Sequence, residues 1–262
     1  EVPLTDPSTP PTVRDMAMNK PPDLAIPGPH WRWESPKPQG NNLRSVWGVA
    51  GASSDLDQLY IGGDSGTVLV GGNAGWSMPR AGNSDFRSIL AVAGQGSGSQ
   101  ALVLGVGVYD LALLQQSGSF RDLNPVLGTG DGALNAVWAT PTAGTFFVVG
   151  TTGRIFQVVN NGTSFQQEGK GITTDSLFGV TGTGTGNNLD VYAVGANGRI
   201  IHRQAGIWTV ENTLFTQQLN SVFIAPSGEV FAVGDSGTIL RRQMGSWQSE
   251  PVATTASAIG PL

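Results

Sequence analysis

The sequence predicts an all-β chain: a β-propeller of five four-stranded blades, preceded by an extended Pro-rich N-terminal arm. Three observations predict it. One segment recurs five times at a period of about 40–45 residues. Each copy holds four short runs of strand-forming residues separated by glycine-rich turns, and ten of the sixteen prolines lie within the first 38 residues.

The recurrence is plainest at the two ends of the repeat region. Leu43 to Trp76 reads LRSVWGVAGASSDLDQLYIGGDSGTVLVGGNAGW, and Leu219 to Glu250 reads LNSVFIAPSGEVFAVGDSGTILRRQMGSWQSE. The glycine ending the second apolar run falls at Gly63, Gly105, Gly150, Gly195 and Gly234, giving spacings of 42, 45, 45 and 39. Four-stranded propeller blades repeat at roughly 40–50 residues. The predicted boundaries are an arm over 1–30, a propeller over 31–250 and a tail over 251–262. The repeats fall near 43–85, 86–133, 134–176, 177–218 and 219–250.

Each element has a local reason. The first runs (LRSVWGV, FRSILAV, LNAVWAT, LFGVTGT, LNSVFIA) and second runs (LYIGG, LVLG, FFVVG, VYAVG, FAVG) are rich in Val, Ile, Phe and Tyr. They alternate little, as strands packed on both faces should. The second and third runs are joined by Gly-Asp-Ser-Gly at 63–66 and 234–237, Gly-Thr-Thr-Gly at 150–153 and Gly-Ala-Asn-Gly at 195–198. Such residues supply the positive φ of tight hairpins. The second copy departs at Val106 and Gly107, which predicts a shorter turn there. A fourth run carries an aromatic: Trp76, Phe120, Phe165, Trp208 or Trp247. In the first run the third position is small (Ser45, Ser88, Ala136, Gly179, Ser221), which predicts close approach of the blades around a central axis.

The repeat resembles the Asp-box, or BNR, type of propeller repeat. The matching residues are Asp64-Ser-Gly-Thr-Val and Asp235-Ser-Gly-Thr-Ile, with Gly-x-Trp at Gly206 to Trp208. It is also similar to the propellers of photosystem assembly factors and of many extracellular bacterial proteins. The resemblance spans Leu43 to Glu250 and implies a propeller without naming a function.

The first forty residues differ in kind. Their prolines keep them out of sheet interiors and long helices, which predicts an extended, polyproline-like arm. DMAMNKPPDLAIPGP resembles the Asp-Leu-Ala-x-Pro-Pro stalks that follow export signals in secreted or surface-attached proteins of predatory and social soil bacteria. The chain starts at Glu1 without an initiator Met, as a processed or trimmed chain would. An extracytoplasmic location is therefore expected, with any export signal removed. Trp31, Trp33 and Glu34 resemble Trp208 to Glu211 and Trp247 to Glu250, so Trp31 to Ser35 is expected to be a further strand of the fourth type, closing the ring or left spare.

Composition narrows the function. Charged residues are 13% of the chain, against about 25% in typical domains. A net charge of −5 offers no basic stripe for nucleic acid. No run of about 18 apolar residues predicts a membrane-spanning helix. There is no cysteine.

Catalytic patterns are thin. Tyr60, Tyr109 and Tyr192 fall within strand runs and read as blade packing; His202 lies in a strand and His30 in the arm, neither with a second ligand or base at a recognisable spacing. The glycine-rich stretches Gly94–Gly98 and Gly182–Gly186 precede strands, not the helix a phosphate loop needs. No cofactor is expected. Arg44 and Arg87 share one position of the first run, where later copies carry Asn135, Phe178 and Asn220. With Trp47 and Trp138, and with Trp31 and Trp33 at the end of the arm, these are the candidate partner or ligand contacts. The reading is a non-catalytic exported scaffold or accessory subunit that binds protein through loops and arm. A lectin-like propeller is the alternative, and a glycan-active hydrolase or lyase the next.

Overall fold

The computed structural model describes residues 40–50, 56–72, 75–79, 87–97, 100–123, 132–211 and 214–251. The expectations for the arm, for Trp31 to Ser35 and for residues 252–262 lie outside them. The described residues form five antiparallel sheets of four strands, each a simple meander in chain order. Blade 1 holds β1 (Leu43–Ala50), β2 (Leu56–Gly63), β3 (Val68–Gly72) and β4 (Gly75–Ser77); blade 2 holds β5 (Ile89–Gln95), β6 (Leu102–Gly107), β7 (Ala112–Gln116) and β8 (Ser119–Asp122). Blade 3 holds β9 (Leu134–Ala139), β10 (Phe146–Gly150), β11 (Ile155–Val159) and β12 (Ser164–Glu168). Blade 4 holds β13 (Leu177–Thr183), β14 (Asp190–Gly195), β15 (Ile200–Gln204) and β16 (Ile207–Glu211). Blade 5 holds β17 (Leu219–Ile224), β18 (Val230–Gly234), β19 (Ile239–Gln243) and β20 (Ser246–Ser249). Among the described residues no helix is long and apolar enough to cross a membrane.

One contact sets the register inside every blade. The second strand ends on Gly63, Gly107, Gly150, Gly195 or Gly234. A Cβ there would stand 1.9–2.4 Å from the backbone carbonyl oxygen just before the first strand: Asn42, Ser88, Ala133, Ser176 or Gln218. That carbonyl accepts the amide of the residue after the glycine at 2.8–3.1 Å in all five blades. Only glycine lets the two backbones approach so closely.

This contact corrects the sequence reading of the second copy. The register glycine is Gly107; a Cβ on Gly105 would meet Ile89 only at an ordinary 3.5 Å. The turn that follows is as long as the others, because Tyr109 and Asp110 (φ 52° and 54°) take the left-handed positions that Ser65 and Gly66 take in blade 1. These are type I′ turns, which match the twist of a hairpin. Tyr109 is thus a turn residue, 61% exposed, not blade packing. Pairing Ile89 with Gly107 and Ala91 with Val106 also shifts the first strand by three residues. Its third position becomes Ser45, Ala91, Ala136, Gly179 and Ser221, and its fourth is valine in every blade: Val46, Val92, Val137, Val180 and Val222. Arg87 therefore does not share a position with Arg44; Leu90 does.

First strands lie against one another in order, β1 to β5, β5 to β9, β9 to β13 and β13 to β17. Small third positions permit this: a Cβ on Gly179 would stand 3.0 Å from Ser221 Cα, and Ser45 Oγ accepts the Val92 amide at 3.0 Å. The core is divided among the junctions. Leu104, Val106 and Leu114 of blade 2 meet Leu134, Phe146 and Val148 of blade 3. Phe147 and Val149 meet Val191, Ala193 and Ile201, and Tyr192 and Val194 meet Val222, Val230 and Leu240. Middle strands are buried on both faces, as in β6 and β10, which explains their unbroken apolar sequence.

The register makes a testable distinction between two glycines two residues apart. Gly107→Ala drives a methyl into a backbone carbonyl and is expected to cost about 3 kcal/mol or more. Gly105→Ala is expected to stay within about 1 kcal/mol of the parent. Urea unfolding of both variants measures the difference.

Candidate functional site

The residues singled out in the first strands are committed to internal partners. Arg44 donates through Nε and Nη2 to Asp64, the second bond at 3.0 Å, and Asn42 donates to the same carboxylate at 3.0 Å. Bonding first to Arg44 and then to Asn42 holds the Asp64 carboxyl at about 2. Asn220 donates to Asp235 at 2.8 Å, Asn135 to the Leu177 carbonyl of the next blade at 2.8 Å, and Arg87 to Asp122 at 2.6 Å. Trp47 and Trp138 lie between blades. Their rings cover Gly94 and Gly182, where a Cβ would approach to 2.8 and 2.6 Å. Trp138 also stacks on Phe147. These side chains are distributed over several blades and form no single cluster; Trp31 and Trp33 lie outside the described residues.

A denser constellation, not foreseen as a site, lies between blades 4 and 5. His202 on β15 is buried, with Nε2 2.5 Å from Asp190 Oδ1 and Nδ1 2.9 Å from Glu211 Oε1. Its ring stacks on Tyr192 at 4.1 Å and 8°. Glu211, the last residue of β16, also accepts Nε and Nη2 of Arg242 at 2.9–3.1 Å and the indole Nε1 of Trp247 at 2.5 Å. Beside this network opens a cleft of about 500 Å³ whose lining includes Thr183, Asp190, Tyr192, Phe223, Pro226, Val230 and Arg242.

The preceding junction repeats the clasp. Glu168, last in β12, accepts Arg203 Nε at 2.9 Å and Trp208 Nε1 at 2.7 Å. The sequence signal is an aromatic followed three residues later by Glu: Phe165 to Glu168, Trp208 to Glu211 and Trp247 to Glu250. The arginine partner comes from another repeat, 35 residues away for Glu168 and 31 for Glu211.

The electrostatics follow from geometry. Burial alone would raise the Glu211 carboxyl, but bonds from His202, Arg242 and Trp247 override it and hold it at about 2. Burial would lower His202, but bonds to Glu211 and Asp190 override that and raise it. Burial, with Asp190 nearby, pushes the Tyr192 hydroxyl up to about 12. Both ring nitrogens of His202 face carboxylates, so neither is free to act as a base. The Tyr192 phenol stays protonated at neutral pH. The arrangement can fix a surface and bind; it presents no activated nucleophile.

No protein-family model and no curated protein matches the sequence. Solved structures do match. "YCF48 bound to D1 peptide" aligns with a TM-score of 0.53 at 15% identity, over 73% of this chain and 62% of that one. YCF48 from Cyanidioschyzon merolae aligns with a TM-score of 0.55 at 16% identity, over 82% of this chain and 73% of that one. BBS1N in complex with ARL6DN aligns with a TM-score of 0.57 at 11% identity, over 79% and 67%. This chain has the β-propeller fold. It spans 62% of the peptide-bound YCF48 and shares the architecture of such propellers, while the Asp-box likeness rests on its sequence motif alone.

The clasp makes stability depend on pH in a defined window. His202 is raised in the folded state, so its contribution is full below its ordinary 6.5 and is lost as pH rises through the folded value. Glu211 is depressed, so its contribution is full above its ordinary 4.5 and is lost as pH falls toward about 2. Urea unfolding across pH is expected to show greatest clasp stability between those limits. His202→Gln should remove the alkaline loss and leave the acid one, and Glu211→Gln should cost about 3–5 kcal/mol at neutral pH by stranding Arg242.

Proposed function

We propose that this chain is a non-catalytic, extracytoplasmic interaction module, an accessory subunit or scaffold that grips an extended segment of a protein partner. The cleft between blades 4 and 5 is the primary contact and the Pro-rich arm a secondary one. The observation that carries this reading is a solvent-open cleft of about 500 Å³ whose charged walls are already locked to one another. Such walls are preorganised, so a ligand loses little affinity to their ordering. Their groups are also committed, which favours recognition over chemistry.

A protein ligand is favoured by what the similar propellers hold, a D1 peptide for YCF48 and ARL6DN for BBS1N. Arg44, 44% exposed at its side chain, is a further contact at the first strand. A glycan is less well served, because Trp47 and Trp138 cover glycines of the next blade instead of standing free as sugar platforms. Nucleic acid is disfavoured by the net charge of −5. The extracytoplasmic setting is supported by the stalk-like segment DMAMNKPPDLAIPGP.

Peptide arrays and glycan arrays probed in parallel test the reading. Peptide hits are expected, and Thr183→Trp, which fills the cleft from an exposed position, is expected to weaken them at least about tenfold with the unfolding midpoint unchanged. Glycan hits without peptide hits, or peptide binding indifferent to Thr183→Trp, would overturn it.

A further inference from the structure

Among the described residues four junctions join consecutive blades, and half of a fifth stands open on blade 1 and on blade 5. On the leading face of blade 1, Leu43 is 48% and Val46 61% exposed, whereas Ile89, Leu134, Leu177 and Leu219, the counterparts of Leu43, are exposed by 1% or less. On the trailing face of blade 5, Phe223 is 59% and Val233 43% exposed, whereas Val106, Val149 and Val194, the counterparts of Val233, are fully buried.

The two open faces carry opposite halves of the contacts that the closed junctions make. The first is large on small: Trp47 covers Gly94 and Trp138 covers Gly182. Phe223 is the aromatic at that position in blade 5, and Gly48 is the glycine at that position in blade 1, exposed. The second is Ser45 Oγ accepting the Val92 amide. Ser221 is the corresponding serine of blade 5 and Val46 the corresponding residue of blade 1. The third is the fourth-strand carboxylate that takes the next blade's indole, Glu168 to Trp208 and Glu211 to Trp247. Glu250 follows β20 in the same register and reaches Arg241 at 3.5 Å, while Trp76 is the indole of blade 1. Blade 1 has Gly71 in place of the clasp arginine, so its clasp would be the indole alone.

We propose that the trailing face of blade 5 docks on the leading face of blade 1 of a second copy of this chain, head to tail. Phe223 seats over Gly48, Ser221 takes the Val46 amide and Glu250 takes the Trp76 indole. The occupant is a second copy because blade 1 of this sequence carries the glycine, the amide and the indole in one register, and among the described residues both faces stand exposed. Each copy holds both halves, so the contact closes at two copies or continues to larger assemblies. Phe223 also lines the cleft between blades 4 and 5, whereas Val46, Ser221 and Val233 do not, so variants at the valines separate the two readings.

Sedimentation equilibrium of the full chain from the micromolar range upward is expected to show dimers or larger species. Val233→Glu, at a position open to solvent and outside the cleft, is expected to raise the dissociation constant at least about thirtyfold. The chain has no cysteine, so Val46→Cys and Val233→Cys, at the positions where Val222 and Val194 pack together across the junction of blades 4 and 5, report contact directly. Mixing the two single variants, each with a different tag, should give disulfide dimers of unlike chains, and neither alone should dimerise through disulfide. The double variant should link between chains. A monomer at every concentration, or a double variant whose disulfide forms within one chain, would overturn the proposal.

Discussion

Everything in this molecule hangs on a glycine with a carbonyl oxygen pressed against it. In each blade the second strand ends where the backbone entering the first strand crosses it, and a Cβ at that point would stand 1.9–2.4 Å from an oxygen. The contact is sequence-local in effect and long-range in consequence. It pins the second strand to the first and sets the irregularity that follows the first residue of the first strand in all five blades. From there the pleat decides which face each side chain takes. Valine at the fourth position then faces the preceding blade in blades 2 to 5, and Trp47 and Trp138 at the fifth face the following one. Junction packing, clasp and cleft are consequences of that register.

Much of the fold was legible because its determinants are short-range. Strand chemistry, I′ turns and the fourth-strand aromatic each lie within a few residues, and five repetitions average out local noise. Blade 2 was misread for a physical reason. It offers two glycines, Gly105 and Gly107, and its turn places Tyr109 and Asp110 at positive φ without the usual glycine. Only the carbonyl that crosses one of those glycines tells them apart, and that carbonyl comes from Ser88, just before β5. The pairing of Arg44 with Arg87 failed with it. The clasp was hidden differently. Its carboxylate, indole and arginine come from consecutive repeats, so only the spacing of an aromatic and a Glu is visible along the chain.

The placement of charge explains how a chain so poor in it gains specificity. Arginines that a sequence reader would assign to a rim are bound to carboxylates: Arg44 to Asp64, Arg87 to Asp122, Arg154 to Asp110, Arg203 to Glu168 and Arg242 to Glu211. Arg203 and Arg242 bridge blades, so their pairing specifies which blade follows which and at what height. Buried pairs of this kind contribute modestly to stability, because desolvation offsets the attraction. Their larger effect is to make a slipped junction costly, since a shift would strand a buried charge. An apolar interface of interchangeable valines would not impose that.

The junctions also differ from one another in a way that orders their response to conditions. Between blades 2 and 3 the contact is aliphatic and aromatic, built of Leu104, Val106, Leu134, Phe146 and Val148. Between blades 4 and 5 it runs through Tyr192, His202, Glu211 and Arg242. Protonating Glu211 or neutralising His202 acts on the second junction and leaves the first untouched. Of these two junctions, the one that holds blade 5 is therefore the one that responds to pH, and blade 5 is also the blade whose trailing face stands open among the described residues. The clasp that shapes the cleft on one side of blade 5 therefore governs how firmly the face on its other side is presented, so that a ligand bracing the clasp would stabilise both surfaces together.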